Sequence, residues 1–416
     1  MTIDRRTRAA MMVIGSGLSI FSGIGAFTGT FSMYVLPLSV KLNVSTATIG
    51  LIYSFVSGAA VVLSAFLGQI IAKIGISYSV CLGALGGGLG FIIVGFAKNI
   101  YLVYLCGVLL GFATIFTGFA MAQTVISKWF ATGRATLFGV IGLAEALGTT
   151  VFAFIAAYFF GRSATGFETS AVVTGVIVFI LCAVSGLVFM HGLPEDYGFK
   201  PIGAEDRLND AGYADKSDIP GISSKEALKT ARLWILMFAT FILVLAAYLY
   251  TPQQAAYLGK KGLDNVQVAL FLSSFMWAKV LNKLLFGIVS DKCGMRLAIG
   301  YNIIAFIAGY GLLLTSSSFI GLLAGTIGVG MGSGMSGNYG TLVIAKMFGA
   351  KDMIKLAPMP HSAAAAGGMV GPLALSAVFS ISNGSFPVMF ITAILLLVVF
   401  LIMVMSITRP SMLFEK

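Results

Sequence analysis

Residues 273–296 read SSFMWAKVLNKLLFGIVSDKCGMR and place two lysines, Lys279 and Lys283, inside an otherwise apolar stretch. An ammonium group in hydrocarbon costs from about 3 to more than 10 kcal/mol, so it persists only where it faces a partner, a cavity or a ligand. The two lysines are four residues apart, which puts both on one face of a helix, about 6 Å apart along its axis. They are therefore the first candidates for a functional site.

The depth of each lysine in the membrane bears on what it does. Counted back from Asp291 at about 1.5 Å per residue, Lys283 lies about 12 Å deep and Lys279 about 18 Å deep. The hydrocarbon core is about 30 Å thick, so Lys279 is near its midplane. For Lys283 snorkelling, in which the aliphatic stem carries the charge to the headgroups, stays an alternative. Lys279 is too deep for that and is expected to face a cavity.

The composition fixes the class of protein. Of the 416 residues, 58% are hydrophobic and only 10% are charged, whereas a soluble domain has about 25% charged residues. Apolar runs of about 20 to 30 residues alternate with short polar segments, which is typical of membrane-spanning helices and not of a barrel. The twelve predicted spans are residues 9–36, 46–72, 76–97, 101–127, 135–160, 170–190, 233–257, 266–290, 297–315, 317–346, 354–382 and 386–407.

The distribution of basic residues predicts the orientation. The net charge is +11, and most lysines and arginines fall on one side of the membrane if both termini are cytoplasmic. By the positive-inside rule this predicts a multi-pass protein of the cytoplasmic (inner or plasma) membrane with both termini in the cytoplasm. The topology and an attraction to anionic lipids of the bilayer therefore explain the positive net charge. A nucleic-acid partner is not expected.

The polar segments divide the chain into two halves. Residues 1–192 are predicted to form an N-terminal six-helix bundle, residues 193–232 a cytoplasmic linker, and residues 233–416 a C-terminal six-helix bundle. Within the linker, Ser223 stands three residues before Glu226, the pattern of a capping box. A short surface helix is therefore predicted to begin after Ser223.

The two halves have similar sequences at the junction of their second and third helices. In the first half, residues 68–75 read GQIIAKIG, and in the second half, residues 287–296 read GIVSDKCGMR. Two six-helix units with such an internal match are typical of transporters built from repeats.

The second copy of this junction resembles a motif of the major facilitator superfamily, Gly-x-x-x-Asp-Lys/Arg-x-Gly-x-Lys/Arg. The matching residues are Gly287, Asp291, Lys292, Gly294 and Arg296. The resemblance implies an all-α membrane protein with twelve transmembrane helices in two six-helix bundles, and a gating role for these residues. The first copy has Ala72 in place of the aspartate and no basic residue at its end. Its gating salt bridges are therefore expected to be missing.

Three further segments resemble the branch that contains oxalate:formate antiporters and monocarboxylate porters. They are residues 31–38 (FSMYVLPL), residues 128–130 (KWF, followed by Arg134) and residues 193–198 (LPEDYG). In that branch a basic residue on helix eight meets the substrate carboxylate, and the matching position is Lys283. Tyr34, in the first of these segments, is a candidate aromatic residue of the cavity.

The same resemblance bears on the charge of the substrate. The oxalate antiporters have a lysine on helix eleven, whereas residues 358–361 of this chain read PMPH. This argues against a dianion held between two opposed cations, and leaves Lys279 to supply a second charge from helix eight. His361 is a candidate substrate or proton ligand because its charge can change near neutral pH, or else a histidine whose ring is satisfied by backbone.

Glu145 is the only acidic residue within a predicted span. It follows Arg134 by eleven residues, which places it about 16 Å deep, in the depth range of Lys279. A structural ion pair with a lysine and a proton-coupling carboxylate both remain open. The branch resemblance gives no role to this position.

These observations predict a secondary transporter that moves a small organic anion, of the lactate, formate and oxalate class, by alternating access. Proton symport and anion exchange both stay open, and the protein is expected to act as a monomer. A carrier of a zwitterion or a larger amphipathic acid is the alternative, because Glu145 beside lysines would suit an amino group.

Two other classes are less favoured. A membrane-embedded enzyme would need a nucleophile with a base or a metal cluster, and the chain has only His191 and His361, with no H-E-x-x-H or G-x-S-x-G motif. No catalytic residue, metal or cofactor is therefore expected. A channel is disfavoured because no segment resembles a filter loop.

Overall fold

The structure is a computed structural model that describes residues 4–163, 165–203, 222–336, 339–349, 356 and 358–408. Within these ranges the regular elements are helices, and an isolated β-bridge joins Phe130 and Ile202. Eleven helices are long and apolar enough to cross a membrane, and a bent pair provides a twelfth. The predicted all-α membrane protein with twelve spans is confirmed.

The N-terminal unit comprises Met1–Tyr213 together with Leu258–Ser273. Its spans are α1 (Arg5–Thr28), α2 (Thr46–Ser64), α3 (Leu67–Phe96), α4 (Ile100–Trp129), α5 (Arg134–Phe160) and α6 (Gly166–Phe189). A short helix, Ser32–Leu42, follows α1. Two of the spans contain a π-helical turn, Ile20–Ile24 in α1 and Ser185–Phe189 at the end of α6.

Helices α1 and α5 pack closely because small residues meet at their crossing. A side chain at Gly148 would collide with the carbonyl oxygen of Phe21, and one at Gly25 would collide with the backbone of Gly148. Thr149 Oγ1 donates a hydrogen bond to the carbonyl oxygen of Gly25 at 3.1 Å. In lipid, where no hydrophobic force drives helices together, such close backbone approach is a main source of packing energy.

The C-terminal unit comprises Ala214–Tyr257 together with Ser274–Lys416. Its spans are α7 (Ala231–Lys260), α8 (Asn265–Cys293), α9 (Met295–Thr315), α10 (Phe319–Met335 and Tyr339–Phe348, bent by 41°), α11 (Pro358–Ile381) and α12 (Phe386–Ile407). The end of α7 and the beginning of α8, within Leu258–Ser273, belong to the N-terminal unit. The predicted divisions at residues 192 and 232 stay a prediction.

The repeated junctions have the same backbone turn. Gly75 has φ 81° and ψ 168°, and Gly294 has φ 91° and ψ 154°. This region is essentially restricted to glycine, because a Cβ atom would clash with the backbone. Gly75 kinks α3 where the sequence predicted a boundary between two spans, and Gly294 separates α8 from α9.

The predicted surface helix is confirmed as Ser224–Lys229. Ser223 Oγ accepts a hydrogen bond from the Glu226 backbone nitrogen at 3.3 Å, and the Glu226 carboxylate accepts one from the Ser223 backbone nitrogen at 3.0 Å. The helix therefore begins with the capping box that the sequence indicated.

Candidate substrate-binding site

Helix α8 presents Lys279 and Lys283 from one unbroken helix, and both side chains are half-buried. The exposed side of α8 is apolar and consists of four side chains with exposed fractions between 46% and 52%: Leu281, Leu284, Leu285 and Ile288. At about 3.6 residues per turn, the two lysines lie on the opposite side of the helix from these four. This placement supports a role facing protein or substrate, because a snorkelling lysine would extend along the exposed apolar side.

A buried amide network holds the helix between the two lysines. Asn282, 1% exposed, donates through Nδ2 to Asn302 Oδ1 at 2.5 Å and to the Met331 carbonyl oxygen at 2.7 Å. Tyr301 Oη donates to Asn282 Oδ1 at 3.1 Å. These bonds join α8 to α9 and α10, so the rotation of α8 about its axis is fixed. Our sequence reasoning missed this network, although asparagines within predicted spans were a visible signal.

Two glycines of α10 bring its backbone against α8 at the level of Lys279. A side chain at Gly330 would collide with the carbonyl oxygen of Phe275, and one at Gly334 would collide with the carbonyl oxygen of Lys279. The backbone of Lys279 is therefore in close contact with the backbone of α10. Together with the hydrogen bonds of Asn282, this contact fixes the backbone of α8 at the level of the two lysines.

The gating motif lies where α8 ends and α9 begins. Four of its residues are exposed (Asp291, Lys292, Gly294 and Arg296), and Gly287 is half-exposed. Lys346, near the end of α10, donates through Nζ to the carbonyl oxygen of Ser290 at 3.3 Å. The end of α10 therefore contacts the residue immediately before Asp291. The gating role of the motif stays a prediction.

Glu145 lies in α5 and is only 2% exposed. Near it α5 is apolar: Ile141 belongs to a buried cluster with Ile20 and Ile126. Helix α5 also packs on the π-helical turn of α1, a local helix defect that is frequent at functional sites. A carboxylate in this environment requires either a cationic partner or a proton. Pairing with a lysine and proton coupling both stay predictions.

Tyr34 is completely buried in the N-terminal unit. Its Oη is hydrogen-bonded to Ser170 Oγ at 2.8 Å and to Thr174 Oγ1 at 3.3 Å, both on α6. Its ring packs edge-on against Phe91 and Phe160. These contacts give Tyr34 a structural role that the sequence did not indicate. Its role as a substrate contact stays a prediction.

His361 lies in the first turn of α11 and is exposed. Its Nε2 is 3.5 Å from Thr341 Oγ1 of α10, so the ring bridges two helices of the C-terminal unit. Its role in substrate or proton binding stays a prediction. Among the described residues, no group of three His, Cys, Asp or Glu side chains is placed to hold a metal ion.

Residues 16–264, more than half of the chain, match the Major Facilitator Superfamily. The chain belongs to this family. It is therefore a multi-pass membrane transporter and not an enzyme. Among curated protein sequences, no significant match was found.

Solved structures confirm the major facilitator fold. A mutant of the nucleoside transporter NupG is similar with a TM-score of 0.76 and 16% identity over 97% of this chain and 100% of that chain. A second structure of NupG gives a TM-score of 0.70 and 15% identity over 96% and 98% of the two chains. At this identity the similarity concerns the fold alone. Neither comparison identifies the oxalate:formate and monocarboxylate branch.

Proposed function

We propose that this transporter carries a small organic anion of the monocarboxylate class across the cytoplasmic membrane by alternating access. The observation that carries the proposal is the pair Lys279 and Lys283, half-buried on the side of α8 opposite its exposed apolar side chains. Two ammonium groups inside a span are costly unless they bind an anion or a carboxylate. A cavity that contains them attracts anions and disfavours cations.

Lys283 is the residue we assign to the substrate carboxylate. It stands at the position where the monocarboxylate and oxalate:formate branch has its basic residue. A lysine acts as a point charge and lacks the bidentate fork of arginine, which suits a small carboxylate without a fixed binding plane. Lys279, one helical turn deeper, supplies a second positive charge for a hydroxyl or carbonyl oxygen of the substrate.

Substitutions of Lys283 test whether this lysine binds the substrate carboxylate. Uptake by proteoliposomes is measured for labelled formate, lactate, oxalate, an amino acid and a nucleoside, with and without a pH gradient. We expect uptake of a monocarboxylate that is abolished by Lys283→Ala and partly retained by Lys283→Arg. Lys98→Ala, which removes an exposed lysine just beyond the end of α3, is the matched control and should transport normally.

Three results would contradict the proposal. Wild-type uptake by a well-expressed Lys283→Ala protein would remove the substrate role of this lysine. Uptake of the nucleoside in preference to all acids would indicate that the substrate is a nucleoside, as it is for NupG. Preference for the amino acid would favour a zwitterion, for which the buried Glu145 carboxylate supplies a partner to the ammonium group.

Proton symport is the coupling mode that we propose. If a lysine pairs with Glu145 in the empty carrier, the lysine favours the ionised carboxylate. A substrate anion that takes over the lysine removes this support, and desolvation then favours the protonated acid. Proton uptake would thus accompany anion binding. Anion exchange is the competing mode, and it requires no titrating group.

A further inference from the structure

The first turns of α1 and the segment from the end of α6 to Tyr197 line a partly open cavity of about 500 Å³ within the N-terminal unit. It does not involve the lysines of α8. Its lining combines a cationic and aromatic mouth with an apolar wall, and it includes Arg8, Met11, Leu187, Val188, His191 and Tyr197. We propose that this cavity binds the headgroup and upper acyl chain of an anionic phospholipid.

The mouth of the cavity holds a positioned positive charge. The Arg8 guanidinium carbon lies 3.8 Å from the centroid of the Tyr197 ring, a cation–π contact that orients the guanidinium. Tyr197 is itself held, because its Oη donates to the carbonyl oxygen of His191 at 3.1 Å. A guanidinium fixed by its face keeps its N–H edges available for phosphate oxygens.

The acidic residues nearby are engaged elsewhere. Asp196 accepts a hydrogen bond from the Leu193 backbone nitrogen at 2.6 Å, and Glu195 forms a salt bridge with Lys128 at 3.0 Å. Asp4, four residues before Arg8, accepts a hydrogen bond from the Arg6 backbone nitrogen at 3.3 Å. In the described part of the chain, these three carboxylates thus have partners other than the Arg8 side chain. The mouth of the cavity remains a site for an external anion.

The apolar wall of the cavity is built before any ligand binds. It is formed by the π-helical turn Ser185–Phe189. Ser185 Oγ donates to the Gly15 carbonyl oxygen at 2.7 Å. A Cβ atom at Gly15 would lie 2.6 Å from Met190 Cγ and 2.8 Å from Phe189 Cβ, so α1 and α6 are in close contact at this level.

The wall continues onto the exposed surface of α6, which identifies the ligand as a lipid. Leu187 and Val188 line the cavity and are 53% and 49% exposed. A free anion gains no binding energy from an apolar wall, whereas an acyl chain buries its apolar surface against it. The distribution of basic residues assigns this end of α1 to the cytoplasmic leaflet, where anionic headgroups concentrate and each basic residue near the surface contributes attraction.

The proposal is tested by lipid retention of the purified full-length protein in native mass spectrometry. Detergent-solubilised protein is titrated with phosphatidylglycerol or phosphatidylcholine of identical acyl chains. We expect preferential retention of phosphatidylglycerol, reduced about fivefold by Arg8→Gln, which corresponds to about 1 kcal/mol for one basic residue. Arg8→Lys should retain most of the preference, because the charge is kept.

Arg162→Gln is the matched control. In the wild type, the guanidinium carbon of Arg162 lies 4.0 Å from the centroid of the Tyr158 ring. Arg162 does not line the cavity. It should leave phosphatidylglycerol retention unchanged. Equal retention of the two lipids by the wild type, an equal loss in Arg162→Gln, or complete displacement of phosphatidylglycerol by millimolar inorganic phosphate would each overturn the proposal.

Discussion

The junctions at Gly75 and Gly294 are two versions of one structural element. Both follow another glycine by seven residues, and both turn the chain with a positive φ and an extended ψ. They differ in charge: the second contains Asp291, Lys292 and Arg296, whereas the first has Ala72 at the aspartate position. The helix before the turn also differs, because α8 runs unbroken to Cys293 while the chain has a break between Ser64 and Leu67.

The comparison separates architecture from charge. The glycine turn occurs in both units, so it does not depend on the aspartate or the arginine. Lys73 matches Lys292, but the aspartate and the final arginine occur in the second junction only. Asp291 and Arg296 are exposed, so they contribute little to stability. They are therefore available for a conformational role.

The same asymmetry extends to the buried polar side chains. The N-terminal unit buries the carboxylate of Glu145 among apolar residues. The C-terminal unit places Lys279, Asn282 and Lys283 on consecutive turns of α8. In the proposed cycle, the first unit carries the proton and the second carries the anion.

Exchanging the buried acid for its neutral isostere has the largest expected effect. Glu145→Gln mimics the protonated form, so loaded carriers still reorient but carry no proton. We expect substrate exchange to persist in proteoliposomes and accumulation driven by a pH gradient to disappear. A purely structural ion pair predicts a different result: breaking it costs about 3 to 5 kcal/mol, so expression and exchange fall together. Wild-type accumulation in a well-expressed variant would exclude the coupling role.

The two glycine turns are expected to be equally intolerant of a side chain. Gly75→Ala and Gly294→Ala should each lower the free energy of unfolding by about 1 to 3 kcal/mol, because alanine is strained in this region of φ and ψ. The measurement is thermal unfolding of the purified protein. Gly68→Ala and Gly287→Ala are matched controls, since an added Cβ there meets no atom within 4 Å. Destabilisation by Gly294→Ala but not by Gly75→Ala would show that the two turns are not equivalent.

The amide network is expected to be specific to the C-terminal unit. Asn282→Ala should destabilise the protein by about 0.6 to 1.7 kcal/mol, the average and the maximum for hydrogen bonds between membrane helices. It should also raise the KM of uptake, because α8 no longer holds Lys283 in a fixed orientation. Leu281→Ala, at an exposed neighbouring position, should leave KM unchanged. The double variant Asn282→Ala/Asn302→Ala should be less destabilised than the sum of the single changes. If the losses of stability in the two single variants add up to that of the double variant, the two amides act independently.

The charged motif is expected to have the smallest effect, and only on the balance of conformations. Gly142 is buried in α5, three residues before Glu145. Asp291→Asn should favour the inward-open state and speed maleimide labelling of a cysteine introduced by Gly142→Cys in a cysteine-free background. We expect an increase of up to about fivefold, since exposed charges contribute about 1 kcal/mol or less. Ala72→Asp restores the missing aspartate in the first junction and should not change the labelling rate. Equal labelling of wild type and Asp291→Asn would remove the gating role.

Much of the fold was predictable from the sequence because lipid imposes strong rules on each segment by itself. A span must be about 20 apolar residues long and helical throughout, since backbone groups find no other partners in hydrocarbon. The number of spans, the span boundaries near Gly75 and Gly294, and the capping box at Ser223 followed from such local rules. The two lysines were conspicuous for the same reason, as charges in an apolar stretch.

The tertiary structure decided which residues meet. Nearly every position of a span is apolar, so periodicity does not reveal which side of a helix faces its neighbours. Packing against α9 and α10 determined that Leu281 and Leu284 are exposed and that Asn282 joins Asn302. It likewise buried Tyr34 against α6, where its hydroxyl is satisfied. These contacts depend on residues far apart in the chain and on the close approach of small residues. Such approach is a property of two helices together and cannot be read from either one alone.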